Sequence, residues 1–214
     1  MATDTVLFAQ RTNMDEKPVI TSGMVCLQPF SWSMLIMELA GRKRASTFLA
    51  AVTLAEQLAV KSIVESGCIR GIRDDGLSTA ILSLFSHRTG AEFHSTNVNQ
   101  EHINICLDWL EPLHETRIAC SDSVEYFSKL GLGTVGFAYL DSLDWEAANP
   151  DPSQLHQLNE VNALADKFTG TAIVLLDDAG LQGMGKTPRS SERLVELGFK
   201  LVIDEYQRLF VRSQ

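Results

Sequence analysis

Residues 61–97 read KSIVESGCIRGIRDDGLSTAILSLFSHRTGAEFHSTN. Two short runs in this stretch, Ser62–Glu65 and Ala91–Asn97, flank a segment with apolar residues at helical spacing, Leu77–Ser86. Strand, helix and strand in that order form a βαβ unit, whose strands run parallel because the helix carries the chain back across the sheet. Working outward, Thr116–Ser121, Gly136–Leu140 and Thr171–Asp177 read as further strands, and Gln100–Leu110, Val124–Leu130 and Ser153–Phe168 as crossover helices. Ser78, Asn99, Asp122 and Asp151 or Ser153 stand near the helix starts, where a short polar side chain accepts from an unpaired backbone N–H. Nearly all five strands are rich in apolar or β-branched residues, as strands covered on both faces must be. The expected class is α/β, with a mostly parallel sheet between two helical layers. The last stretch, from Ser190 through Gly198 into FKLVIDEYQRLFVR, predicts a helix and then an antiparallel hairpin turning at Asp204–Tyr206.

The chain before residue 61 differs in character. It has an irregular polar start to about Gly23, then PFSWSMLIMELA (29–40) and TFLAAVTLAEQLA (47–59) as two helices with apolar faces. This segment, residues 1–60, is expected to pack on the sheet edge or to serve as a lid, with Phe30, Trp32 and Met34 as adaptable apolar walls. At 214 residues, 45% hydrophobic and 21% charged, the chain is long enough for one domain with its own core. A formal net charge of -9 argues against a nucleic-acid or anionic-membrane partner, since those are gripped by clustered Lys and Arg. No secretory leader or membrane span is read, so a cytoplasmic location is expected. Cys26, Cys68, Cys106 and Cys120 have no paired spacing and read as reduced, mostly buried thiols.

In an open parallel sheet, ligands bind beyond the carboxyl ends of the strands, so chemistry is sought there. The first strand ends in Glu65-Ser66-Gly67-Cys68-Ile69-Arg70-Gly71, and Gly67 and Gly71 let the backbone turn sharply and approach a ligand, or simply turn. The second ends at Asn97, which can hydrogen-bond ribose hydroxyls. The third ends in Ser121-Asp122-Ser123, where Asp122 either accepts from an adenine amine or caps its helix. The fourth ends in Asp141-Ser142-Leu143-Asp144-Trp145 and the fifth in Asp177-Asp178. Adjacent carboxylates at a buried strand end repel unless a cation or shared proton relieves them. Asp141, Asp177 and Asp178 together offer three oxygen donors of the kind Mg²⁺ takes; capping and solvating a loop is the alternative. His156 and Glu160, four apart on one helix face, point to the cleft or to solvent together. His87, His94, His102 and His114 have no partners in sequence, and Lys186, in GMGKTP, is expected to face water.

VESGCIRG, STNVNQEHI, CSDSVEYF, YLDSLDW and IVLLDDAG, in that order, resemble the strand-end motifs of class I S-adenosylmethionine-dependent methyltransferases, closest to the metal-dependent small-molecule O-methyltransferases. The resemblance covers residues 60–214 and implies a Rossmann-like fold, with residues 61–214 as the S-adenosylmethionine-binding domain. It implies that Glu65 and Gly67 lie against the methionine part of the cofactor, Asn97 against the ribose, and Asp122 and Ser123 beside the adenine. With Ser66, Gly71, Ser78 and Asp141 these make the expected cofactor-binding set. Asp141, Asp177 and Asp178 are the implied ligands of a divalent metal such as Mg²⁺, and His156 and Asp144 the expected catalytic bases. Two positions depart from the family: Ile69 stands where a middle glycine is usual, and Asn97 replaces an acid.

The expected reaction is transfer of a methyl group to a small-molecule acceptor through a hydroxyl, with a homodimer left open. An NAD-dependent oxidoreductase is the rival enzyme class, though GxGxxG is missing after the first strand. A non-catalytic relative that binds the cofactor or a partner protein through the same fold is the other alternative.

Overall fold

The computed structural model describes residues 6–10, 19–23, 36, 40, 41, 43–70, 77–110, 116–180 and 185–213. In chain order the elements are β1 (Val6–Gln10), β2 (Val19–Gly23), α1 (Ala45–Gln57), β3 (Ser62–Ser66), α2 (Ser78–Thr89), β4 (Glu92–Asn97), α3 (Gln100–Leu110) and β5 (Thr116–Cys120). They continue with α4 (Ser123–Ser128), β6 (Val135–Leu140), α5 (Asp151–Leu164), β7 (Phe168–Leu176), α6 (Pro188–Glu196), β8 (Lys200–Asp204) and β9 (Arg208–Arg212).

Seven strands form one sheet in the order β5-β4-β3-β6-β7-β9-β8. Strands β3 to β7 are parallel neighbours, while β9 runs antiparallel to β7 and pairs with β8 as the expected terminal hairpin. Successive side chains of a strand point to opposite faces, so an unbroken apolar run serves two cores at once. Ile63, Phe137, Tyr139, Ile173 and Leu175 pack with Phe48, Val52, Ile81 and Phe85 of α1 and α2. Their alternates Val64, Ala138, Leu140, Val174 and Leu176 pack with Phe127, Val161, Leu164 and Leu194 of α4, α5 and α6. The result is a three-layer sandwich. Each fully buried Leu, Ile or Phe contributes roughly 1.5–3 kcal/mol of transfer free energy.

Several expectations are corrected. The start of the chain is not irregular: β1 and β2 pair antiparallel, from Val6 opposite Gly23 to Gln10 opposite Val19, as a separate two-stranded sheet. The continuous apolar run Val6–Ala9 and the β-branched Val19, Ile20 and Thr21 favour strand over coil. Of the helix expected over 29–40 only Ile36 and Ala40 are described, both buried in the first core, and Phe30, Trp32 and Met34 lie outside the described residues. Helix α1 matches the second expected helix and is part of the same core, with Phe48, Ala51, Val52 and Ala55 fully buried. The helix expected to run to Phe168 stops at Leu164, because Phe168 pairs with Val135 in the sheet and packs edge-on against Phe199 at 5.1 Å. Helix α2 has Leu77, not Ser78, at its N-cap, and Ser78 is its buried first residue. Among the described residues, no helix is long and apolar enough to cross a membrane. Cys68 and Cys106 are buried free thiols, whereas Cys120, on edge strand β5, is exposed.

Candidate functional site

From β3 the chain builds outward through β4 to β5, then returns to the other side of β3 for β6 and β7. Such a reversal leaves a crevice at the carboxyl ends of the two central strands. A cleft lies there, lined by Gly67, Thr96, Asn97, Val98, Ser121, Ser123, Ser142, Leu143 and His156. Four residues singled out from the sequence, Gly67, Asn97, Ser123 and His156, are thus brought together as its walls.

Gly67 has φ +84°, and a Cβ there would stand 2.2 Å from the Asp141 carbonyl oxygen. Only glycine fits, because both the left-handed backbone and the approach of the β6 end forbid a side chain. Its N–H donates to the Thr96 carbonyl at 2.9 Å, and Asp141 N–H donates to the Ser66 carbonyl at 3.1 Å, so three strand ends are tied around it. The loop needs no middle glycine. Ile69 is 3% exposed, packs with Cys68, Ala80, Ile103 and Cys106, and donates its N–H to Thr79 Oγ1 at 3.1 Å. Gly71 lies outside the described residues.

Glu65 is fully buried behind the loop. Ser95 Oγ donates to its Oε2 at 2.6 Å, and Oε1 has no partner among the described residues. Burial pushes this carboxyl up to about 7, against the pull of the Ser95, Ser78 and Thr79 hydroxyls. Asn97 accepts from Asn99 N–H through Oδ1 at 2.8 Å, which leaves its amide donors unspent by that turn. Asp122 does what capping predicts: its Oδ1 accepts from Glu125 N–H at 3.0 Å at the start of α4, and it is not among the cleft-lining residues.

Ser123 sits between two residues of α5. Its hydroxyl donates to Glu160 Oε1 at 2.5 Å and lies 3.1 Å from His156 Nε2. With its one proton given to Glu160, Ser123 can only accept from the imidazole, so Nε2 must carry a hydrogen. The Glu160 carboxylate, 3.5 Å from Nε2, holds His156 above its ordinary value against the effect of burial. Glu160 is fully buried and its Oε2 has no partner among the described residues.

Asp144, expected as a base facing the site, points away from that role. It is paired with Arg70 Nη1 at 2.8 Å with a side chain 66% exposed, and the guanidinium holds it below the usual carboxylate range. His94 Nδ1 lies 2.6 Å from Tyr126 Oη, outside the cleft lining, and His114 is not among the described residues.

Asp141, Asp177 and Asp178 do meet, with carboxylate oxygens within 4.8 Å of one another at the ends of β6 and β7. The expectation that Lys186 faces water is overturned: it is 1% exposed, with Nζ 2.6 Å from Asp141 Oδ1 and 3.0 Å from Asp178 Oδ2. Burial works against its charge, yet Asp141, Asp178 and Asp177 together hold the ammonium above its ordinary value. Arg44, unsuspected from sequence, forks onto Asp177 with Nη2 at 2.6 Å and Nε at 3.0 Å, and Gln207 Nε2 donates to Asp177 Oδ1 at 2.7 Å. Tyr206 Oη donates to Asp178 Oδ1 at 2.5 Å, and Tyr139 Oη to Asp141 Oδ2 at 3.2 Å. Each of the six carboxylate oxygens is therefore hydrogen-bonded or ion-paired to the chain's own donors. A divalent ion, which must bond such oxygens directly, does not fit this arrangement without expelling a buried ammonium. Burial and the Asp177 charge push Asp141 up to about 7 despite Lys186. The one signal in the sequence was the cost of three clustered acids, which requires cations somewhere.

No protein-family model and no curated protein matches the chain. Solved structures do. Monomeric WbdD matches over 81% of this chain and 41% of its own, so this chain spans about two-fifths of that one, with TM-score 0.51 and 18% identity. A methyltransferase from Geobacter sulfurreducens matches over 86% of this chain and 87% of its own, with TM-score 0.54 and 11% identity. Cofactor-bound Rv0187 from MTB covers the same shares with TM-score 0.56 and 11% identity. At these identities the likeness is one of fold: a parallel α/β sheet with an antiparallel terminal hairpin, as in the Geobacter sulfurreducens methyltransferase.

Proposed function

We propose that the chain binds S-adenosylmethionine in the cleft at the carboxyl ends of β3 to β6 and transfers its methyl group to a hydroxyl of a small molecule, without a divalent metal. The observation that carries this is the convergence of Gly67, Asn97, Ser123 and His156 on one cleft at the strand reversal. The buried unpartnered oxygens of Glu65 and Glu160 add support. Both are acceptors, and the cofactor is rich in donors: an ammonium, two ribose hydroxyls and an exocyclic amine.

When bound, the cofactor supplies an electrophilic methyl on a sulfonium. Glu65 takes the ammonium of the methionine part, Asn97 donates to a ribose oxygen, and Ser123, His156 and Glu160 border the adenine. Much of the rate comes from alignment, since displacement at the methyl carbon needs acceptor oxygen, carbon and sulfur in line. Transfer of that methyl to a hydroxyl would leave the hydroxyl proton to be taken up by a group of the chain. Asp141, held near 7 and 20% exposed, has a proton affinity suited to accept it at neutral pH. Asp144, paired with Arg70, and His156, whose Nε2 hydrogen is turned toward Ser123, are poorer bases.

Calorimetry against S-adenosylmethionine, S-adenosylhomocysteine and NAD tests the cofactor reading: the first two bind and NAD does not. Release of S-adenosylhomocysteine over a panel of catechols, sugars and phenolic natural products, unchanged by EDTA, tests the rest. A chain that ignores S-adenosylmethionine sinks the whole reading, and turnover abolished by EDTA sinks its metal-free part.

A further inference from the structure

The acids at the ends of β6 and β7 draw their counter-ions from two remote places. Lys186 comes from the loop after β7, and that loop is built to deliver it. Gly185 has φ +55°, and a Cβ there would lie 1.8 Å from the Asp178 carbonyl oxygen. The same carbonyl accepts from Lys186 N–H at 3.1 Å, and Gln154 Nε2 of α5 donates to the Gly185 carbonyl at 3.0 Å. Arg44 comes from the start of α1, and its guanidinium carbon lies over the Tyr206 ring, 5.1 Å from the centroid. Lysine is almost never fully buried unless paired, and here it is paired twice.

We propose that Lys186 Nζ is the resident cation of this cluster, bridging Asp141 and Asp178 where a divalent ion would join the two strand ends, with Arg44 closing Asp177 to any other cation. Together the ammonium and the guanidinium bring two positive charges, the charge of the ion they replace. Lys186 is thus a positioning residue: it fixes Asp141 and the ends of β6 and β7 beside the cleft. Its role in catalysis rests on the methyl-transfer reading, but the occupancy of the cluster does not.

Titration of the full chain with Mn²⁺, followed by the paramagnetic resonance of free ion and by thermal melting, tests this with and without S-adenosylhomocysteine. The unsubstituted chain is expected to take up no stoichiometric Mn²⁺, and its Tm to be unmoved by Mg²⁺ or EDTA. Lys186→Met, which removes the ammonium but keeps the length of the side chain, is expected to take up one Mn²⁺ and to gain about 5 °C or more in Tm when the ion is saturating. Lys200→Met, at an exposed position of β8, serves as the control and is expected to take up none. Stoichiometric Mn²⁺ uptake by the unsubstituted chain, or none by a folded Lys186→Met chain, overturns the proposal. If Lys186→Met does not fold, the unsubstituted titration decides alone. A chain that takes up neither Mn²⁺ nor S-adenosylhomocysteine refutes the cofactor reading and upholds this one.

Discussion

Replacing Glu65 by Gln separates the stability of the fold from its function. The carboxyl is fully buried, with one oxygen bonded to Ser95 and the other unpartnered among the described residues. Burial raises it from 4.5 to about 7, so the folded chain holds this proton more tightly than the unfolded chain does. The group's contribution to stability is then complete below pH 4.5 and is lost as the pH rises through about 7. At about 1.4 kcal/mol per tenfold change in proton affinity, the loss amounts to about 3 kcal/mol. Glutamine has the shape of the protonated acid and cannot ionise. Urea unfolding of Glu65→Gln and the unsubstituted chain should therefore agree near pH 4.5 and diverge to about 3 kcal/mol in the variant's favour at pH 8. In thermal melts this is roughly 6–12 °C for a domain of this size. The same variant should bind S-adenosylmethionine roughly tenfold more weakly, since a charge-assisted acceptor for the ammonium is gone. A stability difference that does not change with pH, or a variant less stable at pH 8, would refute the assignment of burial as the cause.

Arg44→Met should cost about 3–5 kcal/mol in denaturant unfolding, because Asp177 is 0% exposed and would be left without its fork; a loss under 1 kcal/mol would show that Gln207 alone satisfies it. Gly67→Ala should destabilise by more than the roughly 1–2 kcal/mol of left-handed backbone strain, since its methyl meets the Asp141 carbonyl, and a stable variant would mean the β6 end shifts freely. Asn97→Asp should tighten S-adenosylmethionine binding about fivefold in calorimetry by offering the ribose a charged acceptor, and weaker binding would place the ribose elsewhere. Asp144→Asn should leave turnover within about twofold and melting nearly unchanged, because an exposed ion pair contributes about 0–1 kcal/mol; a large loss of turnover would restore Asp144 as the base.

The layers follow from local patterns. IVLL in β7 and VGFAYL in β6 are unbroken apolar runs, which suit only strands covered on both faces, and the intervening periodic segments suit only crossover helices. Their order along the chain, with right-handed crossovers, leaves few ways to arrange the sheet. The place of the cleft was legible for the same reason, because ligand sites in such sheets lie at strand ends. The β1–β2 pair was missed because eight mostly polar residues, 11–18, separate its strands in sequence in place of the two-residue turn that announces a hairpin.

What the sequence by itself determined is that three acids would meet at the ends of two neighbouring strands, since each acid ends a strand run and consecutive parallel strands tend to pair. What answers their charge was decided only by the tertiary structure. Arg44 lies 133 residues from Asp177, and Lys186 lies 45 from Asp141. Charge attraction acts through space with no periodicity along the chain, so no pattern in the sequence could assign either cation to its acid.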